Sequence, residues 1–227
     1  KLPNIKGLDI VAENIPSEQI GGDYFDLFQL IDGSYLLSIA DVTGKGVPAA
    51  LLMANLQAMI HALALQDTTI ETATGTINDF IYTNTPADIF ITFFWTKIEA
   101  NGKTLKFVNA GHDHPIVFRK SEADHSDENS AHIEQFELSE GGLVLGALPT
   151  LTPYNSSYFT LEANDVVIFF TDGVTEAMHH KTKKEYNLNR LKTIVAGHLN
   201  RTAKEIKEAI ISDVNKFSNY TRNDDLT

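Results

Sequence analysis

Two stretches of the sequence deliver an aspartate at the end of an apolar strand. Tyr35-Leu-Leu-Ser-Ile-Ala40 leads into Asp41, and Val166-Val-Ile-Phe-Phe-Thr171 leads into Asp172. Both strands are apolar on both faces, which predicts a central place in a sheet and a carboxylate at each buried rim. An unpaired carboxylate in such a place is costly, or its pKa shifts until it is neutral, so a cation is called for. Taken singly, an Asp before a Gly is also a common turn former. Two more acidic turns strengthen the chemical reading. Gly21-Gly22-Asp23-Tyr24-Phe25-Asp26 opens a strand, and Asn223-Asp224-Asp225 follows the last helix. The sequence has no cysteine and no clear histidine set. Oxygen donors of this kind suit a hard divalent cation, Mg²⁺ or Mn²⁺, better than Zn²⁺.

The elements that must position these residues follow from periodicity. Strands are predicted at Leu8–Glu13, Tyr24–Ile31, Tyr35–Ala40, Ile89–Ile98, Thr104–Asn109, His132–Leu138, Ser157–Leu161 and Val166–Thr171. Asp32-Gly33 and Asn101-Gly102 stand between apolar runs and predict tight type I′ hairpins, hence antiparallel pairing. Between the hairpins, Val47–Gln66 carries Leu52, Leu56, Met59, Ile60 and Leu63 on one helical face, with Pro48 in the first turn. Thr69–Thr83 places Ile70, Ile77, Phe80 and Ile81 on one face of a second helix. Lys120–Ala131 is polar and without period, and reads as a loop extending a hairpin. Helices at Asn189–Leu199 and Thr202–Phe217 close the chain, the latter opened by a Thr202/Glu205 capping box. Strands from both ends with helices inserted between them predict an α+β layered sandwich.

Composition narrows the function. Thirty acidic residues against 18 basic give a formal charge of −12, which disfavours a phosphate-backbone partner. The absence of cysteine excludes disulfides, thiolate metal sites and cysteine nucleophiles, and fits a reducing compartment. No uncharged apolar run is read as reaching the ~18 residues of a membrane span, so the segment is not expected to cross a bilayer. At 227 residues the chain suits one domain with one sizeable core.

The set GGDYFD (21–26), ADVTGKGVPAALLMA (40–54), NAGHDHP (109–115), TDGVTEA (171–177) and NDDLT (223–227) resembles the PPM-type metal-dependent serine/threonine phosphatases. It looks closest to their SpoIIE/RsbU-like bacterial branch. The resemblance runs from about residue 7 to 227. It implies two antiparallel sheets packed face to face, with α-helices on both outer faces. It implies that Asp23 and Asp41 bind a pair of Mn²⁺ or Mg²⁺ ions, with Asp41 bridging both. The backbone carbonyl of Val42 completes one site, Asp172 binds from the opposite side, Asp224 is the terminal ligand, and Asp225 supports it. The implied reaction is hydrolysis of phosphoserine or phosphothreonine on a regulatory protein, of the anti-sigma-factor-antagonist type, by a metal-activated water. Departures from the family pattern fall at Asp113-His114, where Asn-Pro is usual, and at Tyr186-Asn187, where Phe-Gly is usual. The family also carries a strand after the Asp-Asp motif, beyond the position of Thr227.

Gly44-Lys-Gly46-Val-Pro-Ala49 matches a dinucleotide fingerprint, but Asp41 would repel a pyrophosphate and the following element is helical rather than a strand. His112 and His114 form the start of a zinc site or, as the preferred reading, part of a turn. His61 reads as a surface or satisfied histidine, His179-His180 as solvated loop, and Lys45 as a solvated lysine. A phosphatase-like domain serving as a binding or scaffold module is the second functional reading.

Residues 1–227 are expected to form a single catalytic domain, cut from a longer cytoplasmic or membrane-attached chain with an N-terminal regulatory region. A homodimer is a further expectation for that parent chain. The two helices over Val47–Thr83 are the expected receiver of regulation, with Leu51 and Met53 off the core face and free to meet a partner helix.

Overall fold

The computed structural model describes residues 2–121 and 132–227. Nine strands run in chain order: β1 (Asp23–Gln29), β2 (Tyr35–Val42), β3 (Ile91–Ile98), β4 (Thr104–Ala110), β5 (Ile116–Ser121), β6 (His132–Glu137), β7 (Gly141–Gly142), β8 (Ser157–Thr160) and β9 (Val166–Ile168). Helices α1 (Val47–Ala64) and α2 (Ile70–Asn84) lie between β2 and β3, and α3 (Asp172–Thr175), α4 (Leu188–Ala196) and α5 (Ala203–Ser218) follow β9. One sheet has the order β1-β2-β3-β4-β7, with β8 also on β4. The other has the order β6-β5-β9.

Three apolar layers hold these elements, and the period-2 alternation of the strands assigns each side chain to one of them. Phe93 and Trp95 face α1 and α2, where Leu56, Ile60, Ile77 and Ile81 are buried. Phe94, one residue out of phase, packs between the sheets with Ile39, Phe107 and Val117. On the far side Ile116 and Phe118 pack against Leu191, Val195, Ile206, Ile210 and Val214 of α4 and α5. The fold is therefore α+β, a predominantly antiparallel sandwich with helices on both outer faces. Among the described residues, parallel pairing is confined to β4 with the two-residue β7 and a single bridge of Phe93 to Gly111. The β2–β3 pairing is antiparallel, which removes the βαβ unit a dinucleotide site needs.

Several local expectations are corrected. Leu8–Glu13 forms no strand; Leu8 and Ile10 only pack against the inter-sheet core. The hairpin turns are not type I′, which requires positive φ at both central residues. Only Gly33 (φ 83°) and Gly102 (φ 70°) are left-handed. Gly33 donates to the Leu30 carbonyl and Leu30 to that of Ser34, the pattern of a type I turn ending in a left-handed residue. Among the described residues, strand β9 is an edge strand paired with β5 alone. It is apolar on both faces because a sheet covers one and helices the other, not because it is central. Phe80 is exposed, and Met53 is buried in the core. Of the loop expected over Lys120–Ala131, Lys120 and Ser121 belong to β5, and 122–131 lie outside the described residues. Helix α1 is, by length and composition, apolar enough to span a membrane, contrary to the composition reading. In this fold it packs on the sheet through Ala49, Met53, Leu56 and Ile60.

Candidate functional site

Antiparallel register sets Asp23 of β1 directly opposite Asp41 of β2. Residues facing each other across such a ladder have Cβ atoms about 5 Å apart, so two like charges there repel. Thr92 of β3 stands on the other side of Asp41. The β2 strand then turns through Thr43–Gly46 into α1. Thr43 locks this turn, its hydroxyl donating to the Phe90 carbonyl at 2.6 Å and accepting from the Phe90 N–H at 2.8 Å. Gly22 packs closely beside it: a Cβ there would sit 3.2 Å from the Val42 carbonyl oxygen and 3.4 Å from that of Gly44, so a side chain would press on this turn.

Asp172 opens α3 at the end of the segment that leaves β9, and the C-terminal turn brings Asp224 and Asp225 against it. A Cβ on Gly173 would fall 1.8 Å from the Asp225 carbonyl oxygen, so only glycine fits. Thr171 and Thr227 both donate from their hydroxyls to Asp23 Oδ2, each at 2.7 Å. Strand β1, the β9–α3 junction and the C-terminal turn thus meet at one carboxylate.

The electrostatics separate the predicted residues into two groups. Burial pushes the Asp41 carboxyl up to about 8, and the charges of Asp23, Asp172 and Asp224 add to the shift. Burial also pushes Asp23 up to about 6, against the opposing pull of the Thr171 and Thr227 hydroxyls. Asp172 is raised by burial and then by Asp224. Asp225 behaves oppositely. Burial alone would raise it, but Ser17 N–H at 2.7 Å, Ser17 Oγ at 2.9 Å and Gly22 N–H at 2.6 Å all donate to it and hold it down. Its role is to fix the Gly21-Gly22 turn that carries Asp23.

Among the described residues, no three His, Asp or Glu side chains converge on one ion position. Asp23 is turned toward its two threonines, and Asp224 toward Lys45, whose Nζ lies 3.1 Å from Asp224 Oδ1 and also donates to the Asn223 carbonyl. Lys45 is therefore paired, not merely solvated. The donor set itself fits a hard cation. It consists of oxygens only, and it holds carboxyls that burial and mutual repulsion make reluctant to ionise without added positive charge.

Sequence reasoning missed Thr171, Thr227 and Ser17, whose hydroxyls position Asp23 and Asp225. It also missed Asp113, whose carboxyl is raised by burial and by the charge of Asp172. Thr171 immediately precedes a candidate aspartate, the one local signal available. An open cleft of about 370 Å³ lies beside this group, lined by Asp113, His114, Glu137, Phe170 and Thr175 among others.

The two histidines of the zinc alternative part company. His112 is buried, bonds Thr92 Oγ1 through Nδ1 at 2.9 Å, and is pushed down to about 4 by burial. His114 is exposed, with Nδ1 3.4 Å from Glu137. His61 is satisfied as expected, with Nε2 2.7 Å from Asp26 Oδ2 and its ring stacked on Phe28. His179 is not simply solvated: its ring packs edge-on against Phe217.

Over residues 31–227 the chain matches the family described as Stage II sporulation protein E (SpoIIE), and it belongs to that family. Among curated relatives, it is 29% identical to phosphoserine phosphatase RsbU of Bacillus subtilis (strain 168), over 100% of this chain and 64% of that protein. The chain thus spans just under two thirds of that relative. Among solved structures, the SiaA-PP2C domain of Pseudomonas aeruginosa superposes with a TM-score of 0.73 at 18% identity, covering 94% of this chain and 82% of that one. RsbX, crystallised in complex with magnesium, gives a TM-score of 0.63 at 20% identity, covering 94% and 89%. The fold is that of the PP2C phosphatase domain.

Proposed function

We propose that this domain hydrolyses phosphoserine or phosphothreonine on a regulatory protein of the anti-sigma-factor-antagonist type. The observation that carries this reading is that Asp23, Asp172 and Asp224 lie near enough to the part-buried Asp41 for their charges to raise it, to about 8, with Asp23 itself raised to about 6. Asp23, Asp41, the Val42 carbonyl, Asp172 and Asp224 would hold two Mn²⁺ or Mg²⁺ ions. Divalent ions held there supply Lewis acidity toward phosphoryl oxygens and a lowered pKa for the attacking water. The chain's own part is positioning. Asp225 fixes the turn carrying Asp23, Thr171 and Thr227 orient the Asp23 carboxyl, and the adjacent cleft offers room for the residue bearing the phosphate. The name of the RsbU relative supports the phosphoserine specificity, and the magnesium of RsbX supports the choice of ion.

The test is phosphate release from p-nitrophenyl phosphate and from a phosphoserine peptide, with Mn²⁺ and with chelator. Release that requires the metal and is faster on the peptide is the expected result. Release that persists in chelator overturns the reading.

One observation favours the binding-module alternative. Asp23 and Asp224 are already engaged by Thr171, Thr227 and Lys45. A calorimetric Mn²⁺ titration separates the two: saturable binding supports the enzyme, and no binding supports the module. Regulation by an upstream segment of the same chain would reach the site through α1. That helix starts six residues after Asp41 and keeps Leu51 63% exposed.

A further inference from the structure

Between α3 and α4 the chain forms a short hairpin whose charge is unlike that of the rest of the molecule. His179-His180-Lys181-Thr182-Lys183-Lys184 carries three lysines and two histidines and no acid, within a chain of formal charge −12. Lys181, Lys183 and Lys184 are exposed. None of the three enters an ion pair among the described residues.

The hairpin is ordered before any partner arrives. Met178 and Glu185 bridge its stem. His179 N–H donates to the Lys184 carbonyl at 2.8 Å, and Lys183 N–H to that of His179 at 3.0 Å. The His179 ring nitrogen Nδ1 accepts from the N–H groups of Lys181 and Thr182. The ring itself stacks on His180 and abuts Phe217 of α5. Lys183 is held at φ 56°, a conformation that needs such bracing. Three unpaired lysines are therefore presented on a braced backbone, so binding need order only their side chains and not the hairpin itself.

The stem of the hairpin is tied to the candidate site. Tyr186 N–H donates to the Ala177 carbonyl and Asn187 N–H to that of Thr175, the last residue of the helix that Asp172 opens. Glu176, at the base, is raised by burial and then by the charges of Asp172, Glu185, Asp113 and Asp224. The basic tip thus projects from the rim of an acidic site on an acidic protein. An acidic partner is repelled by most of this surface and attracted here, which fixes its orientation as well as its approach.

We propose that the His179–Lys184 hairpin docks an acidic protein surface flanking the phosphorylated residue of the substrate. This rests on the phosphatase reading above for the identity of the partner, but not for the contact itself.

The test uses binding rather than turnover. Two fluorescein-labelled phosphoserine peptides are compared, one flanked on both sides by glutamates and one by glutamines, and their Kd values are read by fluorescence anisotropy without added metal. Wild-type protein should bind the glutamate peptide about tenfold more tightly at low salt, as expected of three rim charges contributing about 0.5 kcal/mol each. The preference should fade by about 0.5 M NaCl, where screening shortens to a few ångströms. K181Q/K183Q/K184Q should show a ratio near one at every salt concentration, with an unchanged melting temperature. A variant that keeps the preference, or a wild type that has none, overturns the docking role. Hairpin-dependent binding to phosphatidylserine vesicles without peptide discrimination also overturns it, in favour of a lipid surface. Absence of Mn²⁺-dependent p-nitrophenyl phosphate hydrolysis would count against the phosphatase reading while leaving the Kd comparison intact.

Discussion

Asp41 and Asp225 are both withdrawn from water, one at the end of a central strand and the other in the C-terminal turn, and their surroundings drive them in opposite directions. Around Asp225 the chain supplies three donors, from Ser17 and Gly22, and the charged form is favoured despite burial. Around Asp41 it supplies other carboxylates, and the charged form is disfavoured up to about pH 8. The first arrangement is complete in itself and serves as a structural latch. The second is incomplete without positive charge, the condition expected of a group that works with a cation. Burial is common to both, so donors and neighbouring charges decide the role.

This contrast can be broken at either end. The largest effect is expected at the strand end. Asp41→Asn should lower Mn²⁺-dependent phosphate release at least about 100-fold, comparable to removing a principal charge-stabilising group, while the fold persists by circular dichroism. Retention of full activity would remove Asp41 from the site. Asp225→Ala should act mainly on stability. It leaves the Gly22 and Ser17 donors unpaired and should cost about 3 kcal/mol in urea unfolding. Asp225→Asn, keeping one acceptor oxygen, should recover part of that loss. Equal stability of Asp225→Ala and wild type would show that the latch is dispensable.

The pH dependence sharpens the same comparison. A carboxyl raised from 3.8 to about 8 binds more protons folded than unfolded between those values. Its contribution to stability is therefore fully present below about pH 4 and is lost as pH rises toward about 8. In full, a rise of that size corresponds to about 6 kcal/mol; Asp41 is only partly buried, solvent screening reduces this, and metal-free protein should lose on the order of 2 kcal/mol across that window. Asp41→Asn should flatten the profile, as should saturating Mn²⁺. A profile that rises over the same range in metal-free protein would contradict the burial of the acidic group. The smallest effect is expected at Lys45. Its pair with Asp224 is exposed on both sides, and Lys45→Met should shift unfolding by no more than about 1 kcal/mol. A larger loss would make Lys45 a structural partner of the C-terminal turn.

Much of this was legible in the sequence because it is written in short-range pattern. The Thr202/Glu205 capping box, α1 from Val47 and the β1–β2 hairpin that opposes Asp23 to Asp41 all rest on residues within a few positions of one another. So do the four acidic turns, since an Asp at a strand end beside Gly or Asn is visible locally. The hairpin turn type was misjudged because Asp-Gly and Asn-Gly are compatible with several turns. The number of residues the strands leave between them selects among these. Met53 and Phe80 were assigned to the wrong sides because α1 and α2 pack on each other as well as on the sheet, which shifts the buried arc away from the most apolar stripe.

The sequence by itself determined which residues can act as oxygen donors and which strand or helix end carries each of them. Only the tertiary structure decided which carboxylates find donors and which find only one another. Thr227 reaches Asp23 across 204 positions and Ser17 reaches Asp225 across 208. Desolvation and charge act between neighbours in space, so the proton affinity of an aspartate is not written in the residues beside it.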